Sequence, residues 1–343
     1  MNTMQIIKAL IAEDLPSLAW VGFHKIDELE IKIEPGNIEK DRYPEGFWPV
    51  RLTPDGTKLV AYSDLEQKII FRDFKTKKTE EVRLDRAFGV RFGSGRLTVT
   101  EDVAFLNVYN SKEGSFDILS FPLDEPAKSL LRKTNKRLIC FESVGNTTIG
   151  LMERDEIFAN PKIARLGILF EPIEEFKPRL ADEKIEQIKI SADEKYFYTL
   201  EENGRLISWN AMKGKEIKVP SSDIWEFLPL ANGFVLILNG RGELEIKNSN
   251  WRSLKPKRYK RENGESVEYF RMAVDPGRQF LAALVSGRNE IDIFDIASGV
   301  LLRTIALEDD LSIGDIRSLL FTANSKLILN YEDGRIVTVG RGR

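Results

Sequence analysis

The chain repeats one strand–turn–strand unit, and this repeat constrains the fold more than any other feature of the sequence. Three copies align without gaps, at KIIFRDFKTKKTEEV (68–82), RLISWNAMKGKEIKV (205–219) and EIDIFDIASGVLLRT (290–304). Weaker copies bring the total to seven, and the turn that opens each unit recurs about every 45 residues. These turns open at Thr53, Thr100, Ser143, Ser191, Leu230, Asp275 and Thr322. Such a period predicts a small sheet that recurs along the chain.

Alternation of side chains within a unit predicts strands rather than helices. Leu206, Ser208 and Asn210 alternate with Ile207 and Trp209, which is a period of two. Glycine-containing turns such as EENGR and NGRGE supply the positive φ that tight hairpins need. Seven antiparallel sheets hide most of their edges when they pack radially around an axis. We therefore predict an all-β fold, a seven-bladed β-propeller.

The last unit ends after three strands, which suggests that another segment completes the seventh blade. Leu29, Ile31 and Ile33 alternate with charged residues in the segment 28–34, as expected of a half-buried outer strand. We predict that 28–34 closes the ring by pairing with 335–340. The predicted domains are a head, 1–27, with a short helix over 3–13, and a propeller, 28–343.

The repeat resembles the WD40 type of β-propeller. The family pattern, a strand ending in an aromatic residue and Asp before a Ser-Gly turn, is best kept in Phe294-Asp295 followed by Ala297-Ser298-Gly299. Trp209-Asn210 and Arg72-Asp73 are weaker versions, and the sequence has no Trp-Asp or Gly-His pair. The resemblance covers about 28–343 and implies a rigid disc whose loops bind other proteins.

Composition excludes several classes of function. The 51 Lys and Arg residues nearly balance the 54 Asp and Glu residues, so no net field favours nucleic acid or an anionic membrane. One Cys and one His cannot supply a zinc-finger or zinc-hydrolase ligand set. No secretory leader and no transmembrane run is recognisable, so we expect a cytoplasmic protein without a membrane segment.

Few residues qualify as catalytic. His24 is isolated outside the repeats, and Cys140 lies in the apolar strand LICFE, where a buried core role is expected. Asp73 and Asp295 are expected to cap turns. We therefore predict no catalytic residue, no metal and no cofactor. Carboxylates from distant blades that meet at the axis would make the protein an enzyme, and this alternative stays open.

Four arginines follow hairpin glycines in consecutive units and predict an arc on one face of the disc. Guanidinium groups arranged in this way suit a partner rich in carboxylate or phosphate. Neighbouring glutamates would instead neutralise them. The four residues are Arg205, Arg241, Arg288 and Arg335.

A basic segment lies between the fifth and sixth units, at 251–261. Its cations are interleaved with Trp251 and Tyr259, a pattern that could neutralise phosphates and stack bases. A solvated edge or an acidic protein partner fits the same pattern. The cations are Arg252, Lys255, Lys257, Arg258, Lys260 and Arg261.

An insertion in the third unit, 154–164, places Ile157 and Phe158 where sibling units have a tight polar turn. Apolar residues on a long loop are a candidate partner contact. Together these features favour a non-catalytic protein–protein interaction scaffold within a larger cytosolic assembly. The alternatives are an enzyme with an axial carboxylate or metal site and a nucleic-acid-associated subunit.

Overall fold

The chain forms seven antiparallel sheets, which we number as blades 1 to 7. The computed structural model describes residues 39–41, 47–63, 66–84, 88–89, 97–110, 115–133, 138–152, 162–167, 170–176, 185–218, 223–248, 251–252, 259, 261, 265–307, 316–323, 326–331 and 336–339. In this part of the chain the regular elements are all strands. The predicted helix at 3–13 lies outside it.

The strands of blades 1 to 3 follow one another along the chain. Blade 1 contains β2 (Phe47–Leu52), β3 (Lys58–Ser63), β4 (Lys68–Asp73) and β5 (Thr79–Arg83). Blade 2 contains β6 (Phe88–Gly89), β7 (Leu97–Val99), β8 (Val103–Asn110), β9 (Ser115–Pro122) and β10 (Leu130–Lys133), and β6 and β7 both pair with β8. Blade 3 contains β11 (Leu138–Val144), β12 (Thr147–Met152), β13 (Lys162–Leu166) and β14 (Pro172–Phe176).

Blades 4 to 7 repeat the same order. Blade 4 contains β15 (Ile185–Ile190), β16 (Tyr196–Glu201), β17 (Leu206–Asn210) and β18 (Lys215–Lys218). Three strands of blade 5 are described: β19 (Ile224–Pro229), β20 (Phe234–Asn239) and β21 (Leu244–Asn248). Blade 6 contains β22 (Tyr269–Val274), β23 (Phe280–Val285), β24 (Glu290–Asp295) and β25 (Leu301–Ala306). Blade 7 contains β26 (Ile316–Phe321), β27 (Leu327–Tyr331), β28 (Ile336–Val339) and β1 (Glu39–Asp41).

The innermost strands close into a ring. Each of them contacts the innermost strand of the next blade, and β26 of blade 7 contacts β2 of blade 1. In ring order these strands are β2, β7, β11, β15, β19, β22 and β26. The seven-bladed β-propeller predicted from the repeat is therefore the observed fold.

The seventh blade is completed from the N-terminal part of the chain, by a later segment than predicted. β1 pairs antiparallel with β28, and Glu39, Lys40 and Asp41 lie opposite Thr338, Val337 and Ile336. The segment 28–34 lies outside the described residues. An outer strand needs only main-chain hydrogen bonds on one side, and the sequence EKD provides these without any apolar residue.

The hydrophobic core lies between the blades. Alternate residues of β17 pack in opposite directions: Leu206 joins a cluster with Phe227 of blade 5, and Ile207 and Trp209 join a cluster with Ile163 of blade 3. Both faces of a blade are therefore covered by its neighbours. This is why consecutive residues of the central strands are buried.

Side-chain caps fix the turns at the lower face, which we define by the turns between the first and second strands of each blade. Thr53 and Ser191 accept hydrogen bonds from the backbone N–H groups of Lys58 and Tyr196, both at 3.0 Å. Gly56 has φ +69°, and a Cβ there would lie 2.6 Å from the backbone nitrogen of Ala323 in blade 7. Glycine thus permits the close contact between blades 7 and 1.

Candidate functional site

Five charged side chains from five different blades converge on the propeller axis, and we call them the axial cluster. They are Arg51, Glu142, Lys189, Glu226 and Arg271, each half-buried on an innermost strand. Arg51 and Glu226 interact electrostatically, although two blades, 6 and 7, lie between them by the shorter way round the ring of seven. Their charges can meet only across the axis. The side chains are thus enclosed by protein but remain accessible to water.

Hydrogen bonds connect innermost strands of neighbouring blades around this axis. In each bond a side chain of one strand reaches the backbone of the next blade. The bonds are Thr98 Oγ1 to Phe141 O at 2.6 Å, Lys189 Nζ to Phe227 O at 2.8 Å, Met272 N to Glu226 Oε2 at 2.9 Å and Arg271 Nε to Arg317 O at 2.9 Å. They brace the ring and position the axial charges.

Burial dominates the electrostatics of the axial cluster. It raises the pKa of Glu142 and of Glu226, although nearby cations favour ionisation of both carboxyl groups. Burial lowers the pKa of Lys189 and of Arg51 in spite of the same two glutamates. Within the described residues, Glu142, Lys189, Glu226 and Arg271 form no ion pair at contact distance. The cluster therefore holds enclosed charges that attract one another without direct contact.

The sequence left open an enzyme whose carboxylates meet at the axis, and the axial cluster matches this alternative only in part. Glu142 and Glu226, from blades 3 and 5, both interact electrostatically with Arg51 and Lys189, so cations accompany each carboxylate. No group of three or more His, Cys, Asp or Glu that could hold a metal occurs among the described residues. The arrangement suits an anionic ligand better than a divalent cation.

Sequence reasoning missed the axial cluster, although a signal was present. Arg51 and Lys189, for example, each lie between two apolar residues of an innermost strand, in VRL and IKI. One charge among buried neighbours resembles the ordinary alternation of a half-solvated strand. Only the ring arrangement shows that these charges face a common axis.

The predicted arginine arc is partly neutralised. The side chain of Arg205 lies 3.6 Å from buried Glu201, and that of Arg288 forms ion pairs with Glu265 and Glu290. Arg241 is exposed and has no ion pair among the described residues. Arg335 lies outside those residues. One of the three described guanidinium groups is therefore open to a partner.

An exposed tryptophan, which the sequence did not single out, lies on the same face as Arg241. We call this the upper face, and it is formed by the turns between second and third strands together with the starts of the innermost strands. Ile224 N donates to Gly204 O, and Gly240 N donates to Asp223 O, both at 2.8 Å. Trp225, the next residue of β19, lies between these two turns and is 53% exposed.

The structure places both aromatic residues of the basic segment inward. Tyr259 is 4% exposed and donates from its hydroxyl to Ile296 O, and Trp251 Nε1 donates to Ser208 Oγ at 3.2 Å. Neither ring is presented for base stacking. Arg252 is exposed, and Lys255, Lys257, Arg258 and Lys260 lie outside the described residues.

Arg261 is part of a buried network rather than of a basic surface. Its guanidinium donates to both carboxylate oxygens of Asp292, each at 2.9 Å, and to Glu290 at 2.6 Å. Asp292 is fully buried and also accepts from the hydroxyls of Tyr269 and Thr304. Arg261 was predicted as a surface cation because its charge matched its neighbours, but a buried carboxylate on β24 requires it as a partner.

Several structural expectations are confirmed. Asp73 Oδ1 accepts from the N–H groups of Lys75 and Thr76, both at 2.8 Å, and Asp295 Oδ1 accepts from Ser298 N at 2.6 Å. Cys140 is a buried free thiol. His24, Ile157 and Phe158 lie outside the described residues, so their roles stay predictions.

Other exposed large apolar side chains are distributed around the disc. Leu130 (59% exposed) and Leu131 (40% exposed) lie on outer strand β10, and Ile173 lies on outer strand β14. Met212, 70% exposed, lies in the turn between β17 and β18 on the lower face. No helix long and apolar enough to cross a membrane occurs in the part of the chain that the structure describes.

Two solved structures share this architecture. The β-propeller domain of Cps50 (Swd1) from Myceliophteria thermophila is 14% identical, with a TM-score of 0.61 over 90% of this chain and 100% of that chain. Hydrazine synthase from Kuenenia stuttgartiensis is 14% identical, with a TM-score of 0.59 over 90% of this chain and 99% of that chain. No protein-family description and no curated protein matches the sequence. The similarity shows the fold alone.

Proposed function

We propose that the protein is a non-catalytic scaffold, a rigid propeller that holds one or more partner proteins within a larger cytosolic assembly. The observation that carries the proposal is that exposed Trp225 and the open guanidinium of Arg241 lie on the same upper face. Tryptophan and arginine are the residues most often found as anchors at protein interfaces. Trp225 would fill an apolar pocket of the partner, and Arg241 would meet a carboxylate beside that pocket.

The rigidity of the surrounding turns supports this role. Asn239 Oδ1 accepts from the N–H groups of Arg241 and Glu243, each at 3.0 Å, so the turn that carries Arg241 is internally braced. The backbone of Ile224 is bonded to the turn of blade 4. A partner therefore meets a preorganised surface, and little conformational entropy is lost on binding.

Co-purification from native cell extract tests the proposal. Wild type is compared with the double variant Trp225→Ala/Arg241→Ala, with and without nuclease, and the recovered proteins are identified by mass spectrometry. We expect a stoichiometric protein partner that survives nuclease and is lost in the double variant. The lower-face variant Met212→Ala is the matched control and should retain the partner.

Two outcomes would contradict the proposal. A partner released by nuclease would indicate a nucleic-acid-associated subunit instead. Equal recovery with wild type and the double variant would show that the upper face is not the binding surface. Unchanged circular dichroism and unfolding midpoints of all three proteins establish that any loss is not caused by misfolding.

A further inference from the structure

The innermost strand of blade 7 carries a buried hydroxyl at the position where the innermost strands of blades 5 and 6 make a hydrogen bond to the next blade. Glu226, Arg271 and Ser318 are each the third residue of their innermost strand, directly after a register shift. Glu226 and Arg271 bond to the next blade, but Ser318 Oγ is buried and has no hydrogen-bond partner among the described residues. Ser318 therefore occupies the same position in its strand as the two charged residues but does not make their hydrogen bond to the next blade.

A fully buried amide lies beside Ser318. Asn330 of β27 is directly opposite Ser318 in the register, so the two side chains project from the same face of the sheet. Asn330 is 0% exposed, and in the part of the chain that the structure describes neither its Oδ1 nor its Nδ2 has a hydrogen-bond partner. Buried polar groups are seldom left unpaired, so these atoms indicate a place for a small polar molecule.

Charge favours an anion at this place. Arg271 and Arg51 are the cations on the innermost strands of blades 6 and 1, on either side of Ser318 in the ring. Two guanidinium nitrogens of Arg271 bond to backbone carbonyls, and the side chain has no ion pair among the described residues. In the ring, Arg271 and Arg51 therefore lie on either side of two hydrogen-bond donors that have no acceptor among the described residues. These donors are Ser318 Oγ and Asn330 Nδ2.

We propose that the axial end of the junction between blades 7 and 1 binds a small oxyanion that also carries a hydroxyl group. The guanidinium groups of Arg271 and Arg51 balance its charge. Ser318 Oγ and Asn330 Nδ2 donate to its oxygens. Asn330 Oδ1 is an acceptor and requires the hydroxyl, so a phosphate with a P–OH group or a hydroxycarboxylate fits, and a fully deprotonated sulfate does not.

Ligand-dependent stability of the full chain tests this site. Inorganic phosphate and malate are the probes, and sulfate and chloride at equal ionic strength are the controls. We expect phosphate or malate at millimolar concentration to raise the unfolding midpoint, and equilibrium dialysis to give one bound molecule per chain. Phosphate alone acting would indicate a phosphoryl ligand, and malate alone would indicate a hydroxy acid. Equal effects of all four salts would overturn the proposal.

The variant Asn330→Leu separates binding from folding. It replaces an unpaired buried amide with an apolar group of similar size, so the ligand-free protein should remain folded. Its affinity for the effective probe should fall about tenfold. Arg132→Gln on outer strand β10 is the control and should bind as wild type does. An unchanged affinity of Asn330→Leu would overturn the proposal. The site shares no residue with the surface of Trp225 and Arg241, so either proposal can fail alone.

Discussion

At the level of single residues, buried Asp292 accepts hydrogen bonds from three side chains, those of Arg261, Tyr269 and Thr304. Asp292→Ala removes the acceptor of Arg261, Tyr269 and Thr304 and leaves the guanidinium, only 10% exposed, without its main partner. We expect a loss of about 3 kcal/mol in the free energy of unfolding. Asp73→Ala removes a turn cap at the protein surface and should cost about 1 kcal/mol. Urea unfolding of both variants measures the difference, and equal losses would contradict the network.

Cys140 gives a second prediction at this scale. Burial raises the pKa of its thiol to about 12, so the native protein holds almost no thiolate at pH 8. Iodoacetamide should therefore label the native protein far more slowly than the urea-unfolded chain. Labelling of the native protein at the rate of a free cysteine would show that this strand of blade 3 is open.

The residues that sequence reasoning placed correctly are those whose role depends on near neighbours in the chain. Asp73 and Asp295 cap turns within three residues, and their turn motifs predicted this. Arg261 was misplaced because its partner, Asp292, is on a strand about thirty residues later. The axial charges depend on partners in other blades, which no local pattern reveals.

At the level of elements, the closing strand is the most testable feature. A chain beginning at residue 35 keeps β1 and should fold cooperatively, whereas a chain beginning at residue 42 exposes the edge of β28 and should aggregate. Size-exclusion chromatography and thermal unfolding distinguish the two. If the chain beginning at 35 also aggregates, the segment 28–34 is needed for closure, as the sequence alternation predicted.

Strands were easier to predict than their partners. The period of two and the glycine turns identified the strands of the seven units, because both signals are local. The identity of the outer strand of blade 7 was not predictable in this way, since main-chain hydrogen bonds select it and every segment of suitable length offers them.

At the level of the whole molecule, the axial cluster makes stability depend on pH. Burial raises the pKa of Glu142 and Glu226 above their ordinary value of 4.5, so the folded state holds protons that the unfolded chain has already released. The free energy of unfolding then falls as the pH rises from 4.5 through the raised pKa. The variant Glu226→Gln removes the contribution of Glu226 to this fall in the free energy of unfolding.

Urea unfolding between pH 4.5 and neutrality checks the prediction. Relative to wild type, Glu226→Gln should become progressively more stable as the pH rises. Glu101→Gln, at an exposed position, is the control and should follow the wild-type profile. Parallel profiles for Glu226→Gln and wild type would show that the axial carboxylate is not perturbed by burial.

The scaffold proposal is tested most directly by photo-crosslinking in living cells. A photoreactive amino acid is placed at Trp225 on the upper face or at Met212 on the lower face, and both side chains are more than half exposed. We predict a discrete crosslinked protein at position 225 that is absent at 212 and weakened by Arg241→Ala. The same products from both positions, or no product from position 225, would contradict the account.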